Sequence, residues 1–293
     1  MRSPNIGPVY FIWVDKQLPP RELTVFLEKN DIILVVAPHS LLLATMANYK
    51  GHLTPAASAR LLLPAILEKH AVDRFIYLDS DVQVTGSLEL LAGVNVPHDH
   101  IAVVEEDVSL FSRLIPKIAR KLQKRRDDLG MPENTPFFNS GVILARMHPW
   151  AKIAGAAQKF YSKNQAVCRT FDQDALNAVC HDRHQLLSPK WNFQPRFFDL
   201  GVESIVKRRI VHFVGPYKPW GSVPLSRPWC ARKPFLSARS ELPQLWERRA
   251  SQGSPGHAYS QLKKMLRQSF RNSQKERSFF LDYCARTKFT EAV

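Results

Sequence analysis

The chain has 293 residues, 45% of them hydrophobic and 23% charged, with a net charge of +15, which fits a soluble globular protein of one large domain or one domain plus a tail. Its four cysteines, Cys168, Cys180, Cys230 and Cys284, form no C-x-x-C pair, which argues against a zinc site or a disulfide framework and for a reducing compartment. The most apolar stretch, Ile32 to Ala47, is broken by Pro38, His39 and Ser40 and is too short to span a bilayer, and the first residues lack the pattern of a secretory signal.

In chain order, Pro8–Val14 reads as a strand, Glu22–Lys29 as a short helix and "DIILVVAP" as a second strand. Ser58–His70 carries apolar residues at helical spacing, with Pro64 positioned to cap or kink it. "RFIYLDSDVQV", Arg74 to Val84, is predicted as one strand and His100–Asp107 as another. Val108–Thr135 reads as helical and contains the basic run "KIARKLQKRR", Lys117 to Arg126. Phe137–Met147 follows as a strand with an Asn-Ser-Gly interruption, then helices over Trp150–Lys163 and around "DQDALNAVC", and a late strand within Arg208–Gly215. Strands alternating with helices predict a largely parallel sheet covered by helices on both faces. Ser251–Ser260 has linker composition, and Leu262, Met265, Leu266 and Phe270 beyond it recur at spacings of three and four, as in a basic amphipathic helix. From residue 231 onward there are 13 Lys+Arg against 5 Asp+Glu, so +8 of the excess sits in the last 63 residues.

Asp79 and Asp81 end an apolar run, where ligands of open α/β sheets bind. Asp-Ser-Asp is readable as a solvated turn or as two carboxylates on one side of a strand converging on a divalent cation. Four further segments bear on the choice. Asn139 adjoins Gly141, which permits close backbone approach. Asp172, Gln173 and Asp174 open a helix, where acidic residues are also ordinary caps. "KWNFQP", Lys190 to Pro195, is a turn of no evident purpose by itself. His212, Gly215 and Lys218 follow a strand; a histidine with two aspartates is a plausible metal set, and a glycine with a lysine suits a phosphate.

The order "YLDSDVQVTGSLELL", "FFNSGVILARM", "DQDALN", "KWNFQP" and "HFVGPYKPW" resembles glycosyltransferase family 8, most of all its bacterial lipopolysaccharide galactosyl- and glucosyltransferases, over about residues 8–220. The resemblance implies an A-type glycosyltransferase fold: α/β, Rossmann-like, with a mostly parallel mixed sheet flanked by helices. It implies a catalytic domain over residues 1–230 and a basic helical region over 231–293 that associates with membrane or acceptor. It further implies retaining transfer of galactose or glucose from a UDP-sugar to a lipopolysaccharide core, with manganese, or magnesium as the alternative. By position, Asp79, Asp81 and His212 would hold the metal, and Gly215 and Lys218 the diphosphate. Arg60 and Ser80 would contact the donor, Asn139, Ser140, Asp172 and Gln173 would line the sugar pocket, and Glu106 falls where the family usually has an aspartate. Asp172 and Gln173 are the candidates for the catalytic position, with front-face substitution favoured because an amide is a poor nucleophile.

"PVYFIWVD" matches the family's second strand, so the first strand and its uracil- and ribose-contacting loop, roughly 25 residues by the family pattern, are expected to be absent. The alternative function is therefore a truncated or inactive relative that binds glycolipid or a partner glycosyltransferase. The basic tail suits an anionic membrane surface, which implies a cytoplasmic protein, peripheral on the bacterial inner membrane. Nucleic acid is ranked low as a partner, because the basic runs lack interleaved aromatic platforms.

Overall fold

A computed structural model describes residues 6–37 except 16, 40–41, 55–215 except 203–204, 237, 240–242, and 274–289 except 288. Lys218, Cys230, the predicted linker Ser251–Ser260 and the first part of the helix predicted over Gln261–Cys284, residues 261–273, lie outside this set.

Strand β1 (Val9–Trp13), helix α1 (Arg21–Lys29) and strand β2 (Ile32–Val36) form a small unit in which β1 and β2 pair in parallel. Pro55–Leu62 is a 3-10 helix, followed by α2 (Leu63–Ile66) and a second 3-10 turn, Glu68–His70. The helix expected over Ser58–His70 is thus broken into three pieces; Pro64, whose ring has no N–H to give, sits where α2 begins.

The predicted strand Arg74–Val84 is two strands, β3 (Arg74–Leu78) and β4 (Val82–Val84), in different sheets. The chain turns between them, with the Val82 N–H donating to the Asp79 carbonyl. Next come α3 (Glu89–Ala92), β5 (Ile101–Glu105), α4 (Asp107–Ser112) and α5 (Pro116–Asp128). The single long helix expected here is interrupted at Pro116, which starts α5, and it ends before Thr135. Strand β6 (Phe138–Arg146) leads to α6 (Met147–Lys163), α7 (Asp172–Val179), β7 (His184–Leu187), the 3-10 turn Pro189–Trp191, α8 (Pro195–Asp199) and β8 (Ile210–His212). A last helix, α9, covers residues 274–286.

The central sheet has the order β3-β6-β5-β7, with β6 antiparallel to both neighbours and β5 parallel to β7. The sheet is therefore mixed. Alternation of elements along the chain suggested largely parallel pairing, but β6 enters the sheet between β3 and β5 in the reverse direction, and no local pattern encodes that.

Both faces of this sheet are buried. Along β5, Ile101 and Val103 pack in one cluster with Ile143, Trp150, Ile153 and Leu176, while Ala102 and Val104 pack in another with Leu91, Val142, Leu144 and Trp191. This period-two division explains why the strands read as continuous apolar runs. A third cluster joins Phe111, Phe193 and Phe197 to Phe280 of α9, so α9 is docked on the domain rather than free of it. Among the described residues no helix is long and apolar enough to cross a membrane. Cys168, Cys180 and Cys284 are free thiols, and burial pushes each up to about 12.

Candidate active site

The β5–β6 pairing slips in register between Val103 and Val104: Val103 faces Ile143, but Val104 faces Asn139. Ser140, Gly141 and Val142 are thereby left without β5 partners, while the opposite edge of β6 stays paired, with Leu78 facing Val142 and the Asp79 N–H donating to the Gly141 carbonyl. The Asn-Ser-Gly interruption is thus an irregularity on one edge of a continuous strand, of the kind that re-aims side chains beside functional sites. Asn177 of α7 braces it, accepting from the Phe138 N–H and donating to the Phe138 carbonyl.

Asp79 leaves β3 as Asp81 enters β4. Strand β4 pairs antiparallel with β8, setting Val82 opposite His212, and the Phe213 N–H donates to the Asp81 carbonyl. The carboxylates of Asp79 and Asp81 therefore meet across a turn joining two sheets, and not by alternation along one strand. Ligand atoms of Asp79, Asp81 and His212 all lie within 4.8 Å of one another. His212 Nε2 is 3.1 Å from Asp81 Oδ1 and 3.8 Å from Asp79 Oδ2. A Cβ on Gly141 would stand 2.0 Å from His212 Cε1 and 2.9 Å from Asp79 Oδ2, so the group needs glycine at its floor. Two carboxylates and an imidazole suit a hard-to-borderline divalent cation, and the residues present fit one.

Arg60, from the 3-10 helix, ties this group to the next. Its guanidinium is 2.9 Å from Asp79 Oδ1 and 2.7 Å from Asp172 Oδ2, donates to the Ser140 carbonyl, and lies 4.8 Å over the Tyr77 ring. Burial opposes its charge, but Asp172 and Asp79 outweigh that and raise its pKa. Tyr77 donates its hydroxyl to Asp79 Oδ1 at 2.8 Å, and burial pushes the phenol well up, keeping it a donor. Arg60 is buried and engaged by protein groups, so it organises the site from beneath.

Phe171 precedes α7 at φ 50°, a conformation rare for a bulky residue, and turns the chain so that Asp172 and Gln173 face the β6 irregularity. Gln173 Oε1 accepts from the Ser140 N–H at 3.1 Å and from Asn139 Nδ2 at 3.2 Å; its Nε2 donates to Glu106 Oε1 at 3.1 Å. Burial raises Asp172 to about 6, with Arg60 opposing, and raises Glu106 to about 7, with Arg125 opposing. Glu106 Oε2 is buried and finds no hydrogen-bond partner among the described residues, with Arg125 3.7 Å away. Arg125 is held chiefly by Asp174, 2.6 Å away.

Of the residues selected by sequence, Arg60, Asp79, Asp81, Glu106, Asn139, Ser140, Asp172, Gln173 and His212 form one connected constellation. Ser80 is exposed at the turn between the two aspartates. Gly215, exposed at φ 89°, leaves open space where a side chain would be, three residues beyond His212; Lys218 falls outside the described residues. Tyr77, Arg125 and Asn192 are parts of the constellation that sequence reading did not single out. Asn192 lies in "KWNFQP", whose purpose now emerges: it bonds both His212 and Asn139.

A family model described as Glycosyl transferase family 8 matches residues 12–223. The chain is 28% identical over 188 residues to General stress protein A of Bacillus subtilis, covering 59% of this chain and 61% of that one. It is 29% identical over 187 residues to the Lipopolysaccharide 1,3-galactosyltransferase of Salmonella typhimurium, covering 58% and 50%. The chain thus spans between half and about three-fifths of the length of these curated relatives. The galactosyltransferase LgtC, crystallised with donor and acceptor sugar analogues, overlays with a TM-score of 0.58 at 20% identity, covering 74% of this chain and 78% of that one. The overlay shows the A-type glycosyltransferase fold, a mixed sheet flanked by helices.

Proposed function

The chain belongs to glycosyltransferase family 8, and from that premise we propose that it is a retaining, metal-dependent hexosyltransferase that moves galactose or glucose from a UDP-sugar to a lipopolysaccharide or lipooligosaccharide core. The observation that carries the reading is the meeting of Asp79, Asp81 and His212 within 4.8 Å, bound through Arg60 to the buried Asp172 and its neighbour Gln173. The similarity to a protein named as a lipopolysaccharide galactosyltransferase supports the acceptor class.

Asp79, Asp81 and His212 would hold manganese, with magnesium as the alternative. When bound, the cation neutralises the charge that builds on the departing diphosphate. Gly215 would give that diphosphate room, and Lys218 would add a point charge. Asp172 and Glu106 would lie beside the sugar and accept hydrogen bonds from its hydroxyls. In the reaction an acceptor hydroxyl oxygen bonds to the anomeric carbon, the bond from that carbon to the diphosphate oxygen breaks, and the hydroxyl proton passes to the departing phosphate. Front-face substitution is favoured over a covalent intermediate by two contacts. Gln173 Oε1 already accepts hydrogen bonds from Ser140 and Asn139, and Asp172 is tied to Arg60. The basic C-terminal region would bring the enzyme to an anionic membrane surface on the cytoplasmic side.

Thermal unfolding with and without UDP and Mn2+ tests the donor site, with Asp79→Ala and Asp81→Ala as controls. Ligand at 100 times its Kd should add about 2.7 kcal/mol of stability, an upward shift of several degrees. No shift in a cooperatively unfolding protein would sink the reading. Transfer from UDP-galactose against UDP-glucose then identifies the sugar.

A further inference from the structure

The hydrogen bonds beneath the site have one polarity, and backbone groups fix it. Two N–H groups, which can only donate, identify two side-chain oxygens. The Ser140 N–H points at Gln173 Oε1, 3.1 Å away, and the Gly141 N–H at Asn139 Oδ1, 3.0 Å away. Because Asn139 presents oxygen there, the Asn192 atom 2.8 Å from it must be the amide nitrogen. Asn192 therefore turns its oxygen toward His212 Nδ1, at 3.0 Å. An amide oxygen accepts and does not donate, so Nδ1 must carry the hydrogen. In the other direction, Asn139 Nδ2 donates to Gln173 Oε1 and Gln173 Nε2 donates to Glu106 Oε1. His212, Asn192, Asn139, Gln173 and Glu106 thus form one chain in which each member donates to the next.

We propose that Asn192 is a positioning residue that keeps a hydrogen on Nδ1 of His212, so that Nε2, which faces Asp79 and Asp81, is the ring nitrogen that would give its lone pair to a cation held between them. The inference rests on the metal-site reading above and deepens it. Partners of this kind commonly set which ring nitrogen of a histidine binds metal. All four residues from His212 to Gln173 are buried, so no solvent competes for these bonds. Asn139 and Gln173 have their carbonyl oxygens committed within the chain, and each donates onward. Their part is to fix polarity.

The test reads the proton directly. In the full-length 15N-labelled protein, side-chain correlation spectra resolve the His212 ring, assigned by loss of its signals in His212→Gln. Nδ1 should carry hydrogen in the metal-free protein and in the protein loaded with Cd2+, a diamagnetic probe, with Nε2 alone shifting on loading. Asn192→Ala should weaken Mn2+ binding, read by the electron paramagnetic resonance of free Mn2+, at least tenfold. Asn192→Asp, which restores an acceptor at Nδ1, should recover part of that loss. A wild-type ring with bare Nδ1 overturns the proposal whether or not any variant folds. So does a folded Asn192→Ala protein that binds Mn2+ within twofold of wild type. A wild-type chain that keeps the Nδ1 proton and takes up no Mn2+ would leave this inference standing and sink the metal reading instead.

Discussion

A β-carbon on Gly141 would stand 2.0 Å from Cε1 of His212, well inside the closest approach of two carbons. The same atom would lie 2.6 Å from Nδ1 of that ring. Gly141 is not at positive φ, so its requirement is for space alone. Gly141→Ala should therefore fold, at a cost of about 1–3 kcal/mol, with His212 displaced from Asp81. The expected result is loss of the Mn2+-dependent rise in unfolding temperature, with a cooperative transition retained. An undiminished metal response would refute the geometry.

Arg60 stands between the half-buried carboxylate of Asp79 and the buried one of Asp172. Arg60→Met keeps most of the volume and leaves Asp79 and Asp172 facing each other without a cation. Breaking a buried pair in this way costs about 3–5 kcal/mol, and Asp172, already raised to about 6, should rise further. Denaturant unfolding at pH 7 measures the loss. Arg60→Met combined with Asp172→Asn should recover part of it, since the second change removes the stranded charge; strict additivity of the two losses would argue against the coupling.

Glu106 makes stability depend on pH. Burial raises it from an ordinary 4.5 to about 7, so the folded state holds the proton more tightly than the unfolded state. Its contribution is fully present below about pH 4.5 and is lost as pH rises through about 7, an effect of about 3 kcal/mol. Asp172, raised from 3.8 to about 6, acts in the same sense over a lower window. Metal-free wild type should lose stability between pH 5 and pH 8 relative to Glu106→Gln. Parallel profiles for the two proteins would show that Glu106 does not titrate in this range.

Helix α9 should be part of the folded unit. Phe280 is fully buried among Phe111 and Phe197, and Tyr283 donates its hydroxyl to Glu105 Oε2, one residue before Glu106. Phe280→Ala should cost about 3–5 kcal/mol, and Tyr283→Phe, losing one hydrogen bond to a buried carboxylate, about 1.5–3 kcal/mol. Chemical denaturation separates these values. A change below about 0.5 kcal/mol in Phe280→Ala would mean that α9 does not hold the domain together.

Residue chemistry made much of this site legible before any coordinates. Asp79, Asp81 and His212 stood out because two carboxylates and an imidazole at strand ends have few uses together, and the order of motifs supplied the remainder. Alternation along one strand is not what brings them together: Asp79 and Asp81 lie in the turn between β3 and β4, strands of different sheets. The direction of β6 was illegible because pairing direction is decided between segments distant in sequence. Tyr77 escaped notice because an aromatic in mid-strand reads as core. Arg125 was hidden in a basic run, where inward-facing cations look like their exposed neighbours. Asn192 carried no signal until its two partners were known, since an amide in a turn ordinarily serves the turn.

The separation of Asp81 from His212 has a consequence for how the molecule comes into being. Their side chains touch, yet they are 131 positions apart in the chain. At a translation rate of about 5–20 residues per second, the gap between making one ligand and making the other is on the order of ten seconds. Throughout that interval the two aspartates repel each other with no histidine to complete the set. Strand β4 also has no β8 to pair with. The site must therefore assemble after most of the central sheet exists, by closing one of the longest loops in the fold, a slow step in any chain. The candidate metal set is thus complete only once every strand of the central sheet has been synthesised.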